Sequence, residues 1–479
     1  MLSESSEPKT SSPKRKIVVD SVHGDIEPSP LEWKIIDTPS FQRLRKLKQL
    51  QMGHLVYPNA THTRFAHSLG VLKVMQRILE HVKASDADKE DLRLAALMHD
   101  IGHYPYSHLL EGVDKVILTE ERLDSFTKKA ALGSSTPYPD HEEVGREILL
   151  HQPDLLRILG GKERAERIGH LFARSEVADQ QLSKLIHSSL DMDRLDYLIR
   201  DSQATGVPYG LVDIDYLLNH VKQSQTGTIG ITHKAVAAAE HLLLARSFLF
   251  RVVCQHKTIY GFEESARQLL RRLRDRAQAG KNAYDIPKDG EAVLNIARDK
   301  TALQTFADAF LDDVFVKAAS DSEPDDMVRV LAQTIISRRP PRLLWEKRTF
   351  RKRNDDHNDD HLFQSACKLN LKELADKKGV HPGQFLICDL KPIGFESRGA
   401  LMSMQEAKKA IESGEQEEMI RVFPTSDALE PIDIVELKHS ILHKIGSHIF
   451  RTYRLYFVCS DDNQEALVTE LKEAVKDWK

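Results

Sequence analysis

Apolar residues recur every three to four positions over most of the first half of the chain, the spacing of helices that bury one face. Phe41, Leu44, Leu47 and Leu50 keep it, and so do Leu69, Leu72, Met75 and Leu79. Asp91 to Ile101 (DLRLAALMHDI) reads as a buried helix running up to Gly102, with Pro105 just beyond to stop it. Thr226 to His233 predicts a short hairpin, and Glu240 to Arg274 one or two long helices. The pattern changes near Asn282. It stays helical to Ile336, after which Gln384 to Leu390, Lys391 to Gly394, Glu418 to Phe423 and Thr452 to Ser460 predict strands, and Asn463 to Trp478 a closing helix. Met1 to Pro13, rich in Ser, Pro, Lys and Glu, cannot bury a core. The expected fold is therefore mainly α: a tail at residues 1–15, a helical core at 16–281 and a smaller α+β C-terminal region at 282–479.

Composition narrows the classes. At 479 residues, 41% apolar and 29% charged, the chain has an ordinary globular balance. The most apolar run, Ala235 to Phe250, is broken by Glu240, His241 and Arg246, so no membrane partner is expected. There is no apolar secretory core at the N-terminus. The four cysteines form no C-x-x-C pair, which argues against a disulfide framework and fits a reducing cytoplasm. A net charge of −4 disfavours a generic nucleic-acid binder. No glycine-rich phosphate cradle is present, so phosphate binding would rest on side chains.

The chemistry lies in the placement of histidines. The helix ending at Met98 delivers His99 and Asp100 side by side, and His103 follows at i+4 from His99 on the same face. Buried and unpaired, these groups would cost several kcal/mol, roughly the range for uncompensated polar burial. A divalent cation resolves that cost. Arg64 and His67 stand three apart in Thr63-Arg64-Phe65-Ala66-His67-Ser68, and Asp193, Tyr197 and Asp201 repeat at i, i+4 and i+8 with Arg194 alongside. His67, His99, Asp100 and Asp193 together make a hard N/O donor set, suited to iron, manganese, zinc or magnesium rather than copper.

These strings resemble the HD-domain phosphohydrolases, and within them the deoxynucleotide triphosphohydrolase branch. The resemblance is carried by Val22-His23-Gly24, Ile35 to Pro39, Phe41 to Arg45, Lys48-Gln49-Leu50, Arg64 to Gly70, His99-Asp100 to His108, His141-Glu142, Asp193 to Asp201 and Gln255-His256-Lys257, in the family's order over about residues 16–270. It implies that His67, His99, Asp100 and Asp193 bind the metal. Arg64, Arg194, Tyr197 and Arg246 would hold a triphosphate, Gln49 and Asp201 the sugar 3′-hydroxyl, with Leu50 and Gln255 lining the site. His103, His108 and His141 would surround the cleavage point, His108 as the acid, with Glu111 or Glu142 orienting the histidines. A GTP or dGTP activator site is implied at Lys16, Asp37, Gln42 and Arg45, and so is a homo-oligomer, dimer or tetramer, with the C-terminal region in an oligomerisation or regulatory role. Three positions depart from the family: Arg194 replaces a lysine, Cys254 a sugar-stacking tyrosine and Tyr216 an arginine.

The expected activity is metal-dependent hydrolysis of dNTPs to deoxynucleoside and inorganic triphosphate. A different HD phosphohydrolase (nucleotidase or nuclease) and a nucleotide- or nucleic-acid-sensing protein are the alternatives. The basic run Arg338 to Arg353, with Trp345 and Phe350 interleaved, suits single-stranded nucleic acid, nucleotide phosphates at a subunit interface, or equally an exposed basic helix or linker. Asn354 to His361 (NDDHNDDH) reads as a polar loop rather than a metal tract.

Overall fold

The computed structural model describes residues 16–113, 136–173, 185–186, 190, 192–320, 322, 326–352, 370–395, 420–461 and 463–478. The tail at 1–15 and the tract Asn354 to His361 lie outside them. The chain opens with an antiparallel hairpin, β1 (Val18–Asp20) and β2 (Gly24–Ile26), registered Val18 against Ile26. The core helices follow: α1 (Arg64–Ile78), α2 (Asp86–Met98), α3 (His141–His151), α4 (Met192–Thr205), α5 (Val236–Leu249) and α6 (Lys257–Gln278). Their starts are written locally: Thr63, Ser85 and Asp140 each accept a backbone N–H of the first turn of α1, α2 and α3. Between α5 and α6 a wide π turn, Phe250–Cys254, divides the stretch, so that of the one or two helices expected there two form.

The run Phe41 to Leu50 is helical only in part. A single α turn, Pro39–Gln42, passes into a 3₁₀ turn, Arg43–Lys46, and Leu47 is extended. Phe41, Leu44 and Leu47 are all fully buried, so their spacing records burial on one side rather than a continuous helix. Arg43 explains the tight turn. Its guanidinium is buried and donates to the carbonyls of Phe306, Ile101 and His103 at 2.8, 3.2 and 2.5 Å.

Beyond residue 281 the helices α7 (Asp308–Ala319) and α8 (Asp326–Ile336) pack on each other, and α8 packs on α6. Two sheets then form. One has the order β3-β4-β7-β8 (Val221–Gln223, Ile229–Thr232, Arg421–Phe423, Ile432–Asp433), in which the core strand β4 pairs in parallel with β7 from the C-terminal region. The other has the order β5-β9-β6, with β5 (Arg342–Lys352) and β6 (Phe385–Asp389) both antiparallel to the long β9 (His448–Phe457). The closing helix α9 (Glu465–Val475) covers this sheet with Val468, Leu471 and Val475 against Leu344, Leu455 and Phe457.

Two sequence expectations change here. The basic run at 338–353 is mostly strand β5, neither helix nor linker. Its backbone pairs with β9 from Arg342 opposite Phe457 to Lys352 opposite His448, Arg454 on β9 binds Glu346, and the Trp345 indole donates to the carbonyl of Trp478. Trp345 is thus bound within the fold rather than offered as a stacking surface. The segment Lys391 to Gly394 is not a strand; Ile393 makes one isolated bridge to Phe450. Among the described residues no helix is long and apolar enough to cross a membrane.

Candidate functional site

Three elements meet at the site. α1 brings His67, the end of α2 brings His99 and Asp100, and the start of α4 brings Asp193. His67, His99 and Asp100 each place a ligating atom within 4.8 Å of the others. Asp193 Oδ1 lies 2.9 Å from His67 Nε2 and 3.9 Å from His99 Nε2. The imidazoles are preset for coordination. His67 Nδ1–H donates to Asp196 Oδ2 at 2.6 Å and His99 Nδ1–H to the carbonyl of Ala96 at 2.8 Å, which turns both Nε2 atoms toward the carboxylates. Both Nε2 atoms are buried, and that of His99 has no hydrogen-bond partner among the described residues.

Electrostatics agree with that donor set. Burial opposes a charged His67, yet Asp193, Asp196 and Asp100 outweigh it and push its pKa up to about 10. Asp100 is deeply buried, but Arg64, His99 and His103 hold its carboxyl well below the usual carboxylate range. A divalent cation at this point would take the place of the proton that Asp193, Asp196 and Asp100 hold on His67. These residues therefore fit a resident metal.

A second cluster adjoins the first. Asp100 Oδ1 lies 3.1 Å from His103 Nε2. His103 stacks on His141 with ring centres 3.9 Å apart, and His108 stands edge-on to both, at 4.8 and 5.3 Å. Glu111 is fully buried and bridges the other two: Oε2 lies 2.7 Å from His108 Nδ1 and Oε1 3.2 Å from His141 Nδ1. Burial, Arg64 and His141 keep His103 well on the neutral side. Burial also lowers the His108 pKa, partly offset by Glu111. Glu142 stands half-buried in the first turn of α3. His103, His108, Glu111 and His141 also have ligating atoms within metal-binding reach of one another.

The remaining site residues fall in three places. Arg64 is buried between the clusters, with Nη1 on Asp100 Oδ2 at 2.6 Å and Nε on Ser107 Oγ at 2.8 Å. Arg194 and Tyr197 share α4 with Asp193; Arg194 is buried and Tyr197 packs edge-on against Phe250. Asp201 accepts from His62 at 2.8 Å, and Gln49 presents a buried Oε1 with no hydrogen-bond partner among the described residues, beside the half-buried Leu50. Arg246 and Gln255 turn toward the C-terminal region: Arg246 lies over Phe250 and reaches the Gly394 carbonyl, and Gln255 donates to the Lys391 carbonyl at 2.7 Å. The expected activator residues form a separate surface. Arg45 stacks on Phe65 and donates to Gln42, Gln42 donates to the Ile36 carbonyl, Asp37 caps the helix Pro30–Ile36, and Lys16 lies over Trp33.

Sequence reasoning missed the support of His67. Asp196, fully buried, also takes His23 Nε2 at 2.7 Å and Arg200 at 2.8 Å, and Arg200 reaches on to Asp20 on β1. Two signals stood in the sequence: the i, i+4 spacing of Asp196 and Arg200, and the glycine at position 70, one turn after His67, where a Cβ would sit 1.8 Å from Asp196 Oδ1.

Comparison with known proteins places these features. The family model described as HD domain matches residues 64–201, from Arg64 to Asp201. An uncharacterised protein of Methanocaldococcus jannaschii is 36% identical over 247 residues, 51% of this chain and 47% of its own length. The uncharacterised protein YwfO of Bacillus subtilis is 27% identical over 78% of this chain and 79% of its own. Human deoxynucleoside triphosphate triphosphohydrolase SAMHD1 is 43% identical over 104 residues, 20% of this chain and 17% of its own. The chain thus spans about half the length of the archaeal relative and far less of the human one. A crystal structure of a phosphohydrolase from Bacteroides thetaiotaomicron shares the fold, with a TM-score of 0.66 at 22% identity, covering 93% of this chain and 100% of the other. Residues 64–201 thus carry an HD domain, and over part of its length the chain is similar to the deoxynucleoside triphosphate triphosphohydrolases.

Proposed function

We propose that the protein is a metal-dependent triphosphohydrolase that converts a dNTP and water into a deoxynucleoside and inorganic triphosphate. One observation carries the reading: a metal-ready His/Asp set and a Glu111-bridged histidine cluster share Asp100, with Arg64 on the same carboxylate. His67, His99, Asp100 and Asp193 would hold a divalent cation, which supplies Lewis acidity toward the α-phosphate and a more acidic bound water. Arg64 and Arg194 offer planar multi-donor heads to the phosphate oxygens. Gln49, whose buried Oε1 has no partner among the described residues, and Asp201 stand ready for the sugar hydroxyl. Water adds at the α-phosphorus as the bond to the 5′-oxygen breaks, and His108 gives its proton to that oxygen. In the free protein His108 is held toward neutral. The charge of a bound triphosphate favours its protonated form, which is the form the step needs. Relatives that carry the name deoxynucleoside triphosphate triphosphohydrolase support this substrate class.

The test is incubation of purified protein with each dNTP and NTP in Mn²⁺, Mg²⁺ or Fe²⁺, with and without GTP, and ion-exchange separation of products. Deoxynucleoside plus tripolyphosphate is the expected result, lost in His99→Ala and Asp100→Ala. Wild-type rates in both variants overturn the assignment. Stimulation by GTP that disappears in Asp37→Ala would assign the Arg45 surface to an activator.

A further inference from the structure

The turn that presents His108 is strained. Tyr106 and Ser107 both take positive φ, 52° and 56°, and Ser107 has ψ −111°. Two successive non-glycine residues stay there only where the surroundings over-determine them. Part of that hold comes from the site itself: the Ser107 hydroxyl donates to the Lys48 carbonyl at 2.8 Å and accepts from Arg64. The rest comes from α7, well outside the matched HD segment. Tyr106 donates its backbone N–H to Asp308 Oδ1 at 2.7 Å and its hydroxyl to Asp312 Oδ1 at 2.6 Å. Asp308 is 3% exposed, and its second oxygen accepts the backbone N–H of Lys48 at 3.0 Å, with Lys48 Nζ at 3.3 Å.

We infer that Asp308 is a positioning residue for catalysis: one buried carboxylate pins the Tyr106–Ser107 turn to the segment at Lys48 and so fixes His108 against the scissile bond. The inference rests on the reading in which His108 is the acid. A carboxylate suits the place because every group facing it is a donor, two backbone amides and an ammonium. An amide at the same position would keep one acceptor and turn its own N–H₂ toward the other donor. An apolar residue would leave the Tyr106 N–H buried and unpaired in a turn already held against its preference.

The full chain is assayed on a dNTP as wild type, His108→Ala, Asp308→Ala, Asp308→Asn and His108→Ala/Asp308→Ala, with a melting temperature for each. Loss of a positioned general acid costs on the order of 10²-fold in rate. The inference expects Asp308→Ala to lower kcat by roughly tenfold or more with KM within about threefold, and Asp308→Asn to recover part of it. The decisive readout is the cycle: if Asp308 acts through His108, its removal costs nothing further in the His108→Ala background. Losses that multiply, or Asp308→Ala at wild-type kcat beside a slow His108→Ala, overturn the positioning role. Asp308→Asn, alone and combined with His108→Ala, carries the same cycle if the alanine variant does not fold. Wild-type kcat in His108→Ala overturns the acid assignment, and this inference with it, as a separately visible result.

Discussion

Asp196 takes His67, His23 and Arg200 on its two oxygens without itself facing the metal set. Its part is to fix the tautomer and aim of His67. Partners of this kind carry about 10–100-fold of metal affinity. Asp196→Ala should therefore weaken metal binding by roughly that factor in a calorimetric titration, and added metal should restore part of the activity. An unchanged affinity would remove Asp196 from the centre. A second residue governs stability rather than chemistry. Burial raises the Glu263 carboxyl to about 7, with Arg267 opposing, while Arg267 and Arg271 hold its neighbour Glu264 low despite burial. For Glu263 the folded state binds the extra proton between the unfolded value near 4.5 and about 7, so this group's contribution is full below the lower value and is lost as pH rises through the higher. Glu263→Gln should raise the melting temperature at pH 8 by a few degrees, about what a ~1 kcal/mol gain gives, and leave it little changed at pH 5. A melting curve for each protein at both pH values checks this. The metal set was legible in the sequence because His and Asp in distinctive strings are scarce. Asp196 was not, because its meaning depends on His23 and His67, which only the fold brings to it.

Elements differ in how far their chemistry shows. α2 and α4 announce themselves through apolar spacing and a carboxylate stripe. β5 hides, because its alternation is filled with Arg and Lys whose stems lie along the sheet, so that charge outweighs period. The close approach of the His99–His103 turn to α3 was also unreadable, although one residue encodes it. A Cβ on Gly102 would stand 2.1 Å from the His141 carbonyl and 2.3 Å from the Gly145 amide. Gly102→Ala must push α3 away from the turn, separating His141 from its stack on His103. A kcat loss of roughly 100-fold with a melting temperature lower by several degrees is expected, in line with overpacking of a rigid contact. Wild-type kinetics with an intact melt would show that the stack is dispensable.

At the scale of the molecule, the sequence boundary near residue 282 follows the pattern of apolar positions, whereas the packing runs across it. A single apolar core joins Leu269 and Leu273 of α6 to Leu311 of α7, Leu331 of α8 and Val422 of β7. Arg454 of β9 donates to the Gln255 carbonyl at 2.8 Å and Tyr456 to the Lys257 carbonyl at the same distance. A chain ended at residue 281 loses all of these and exposes the edge of β4. It should aggregate or bind the dye ANS strongly, with weak near-UV circular dichroism, whereas the full chain should not. A monodisperse, active 1–281 fragment would contradict this.

The parallel pairing of β4 with β7 has a consequence for inheritance. Strands joined this way, Ile231 against Val422 and Thr232 against Phe423, come from distant parts of the gene. Recombination at the joint that the apolar pattern suggests would hand the helical half a foreign strand partner and a foreign helix in place of α7. Viable chimaeras should therefore have crossovers that carry β7 and Asp308 along with the HD segment, and family members should differ in what surrounds that unit rather than in what it contains.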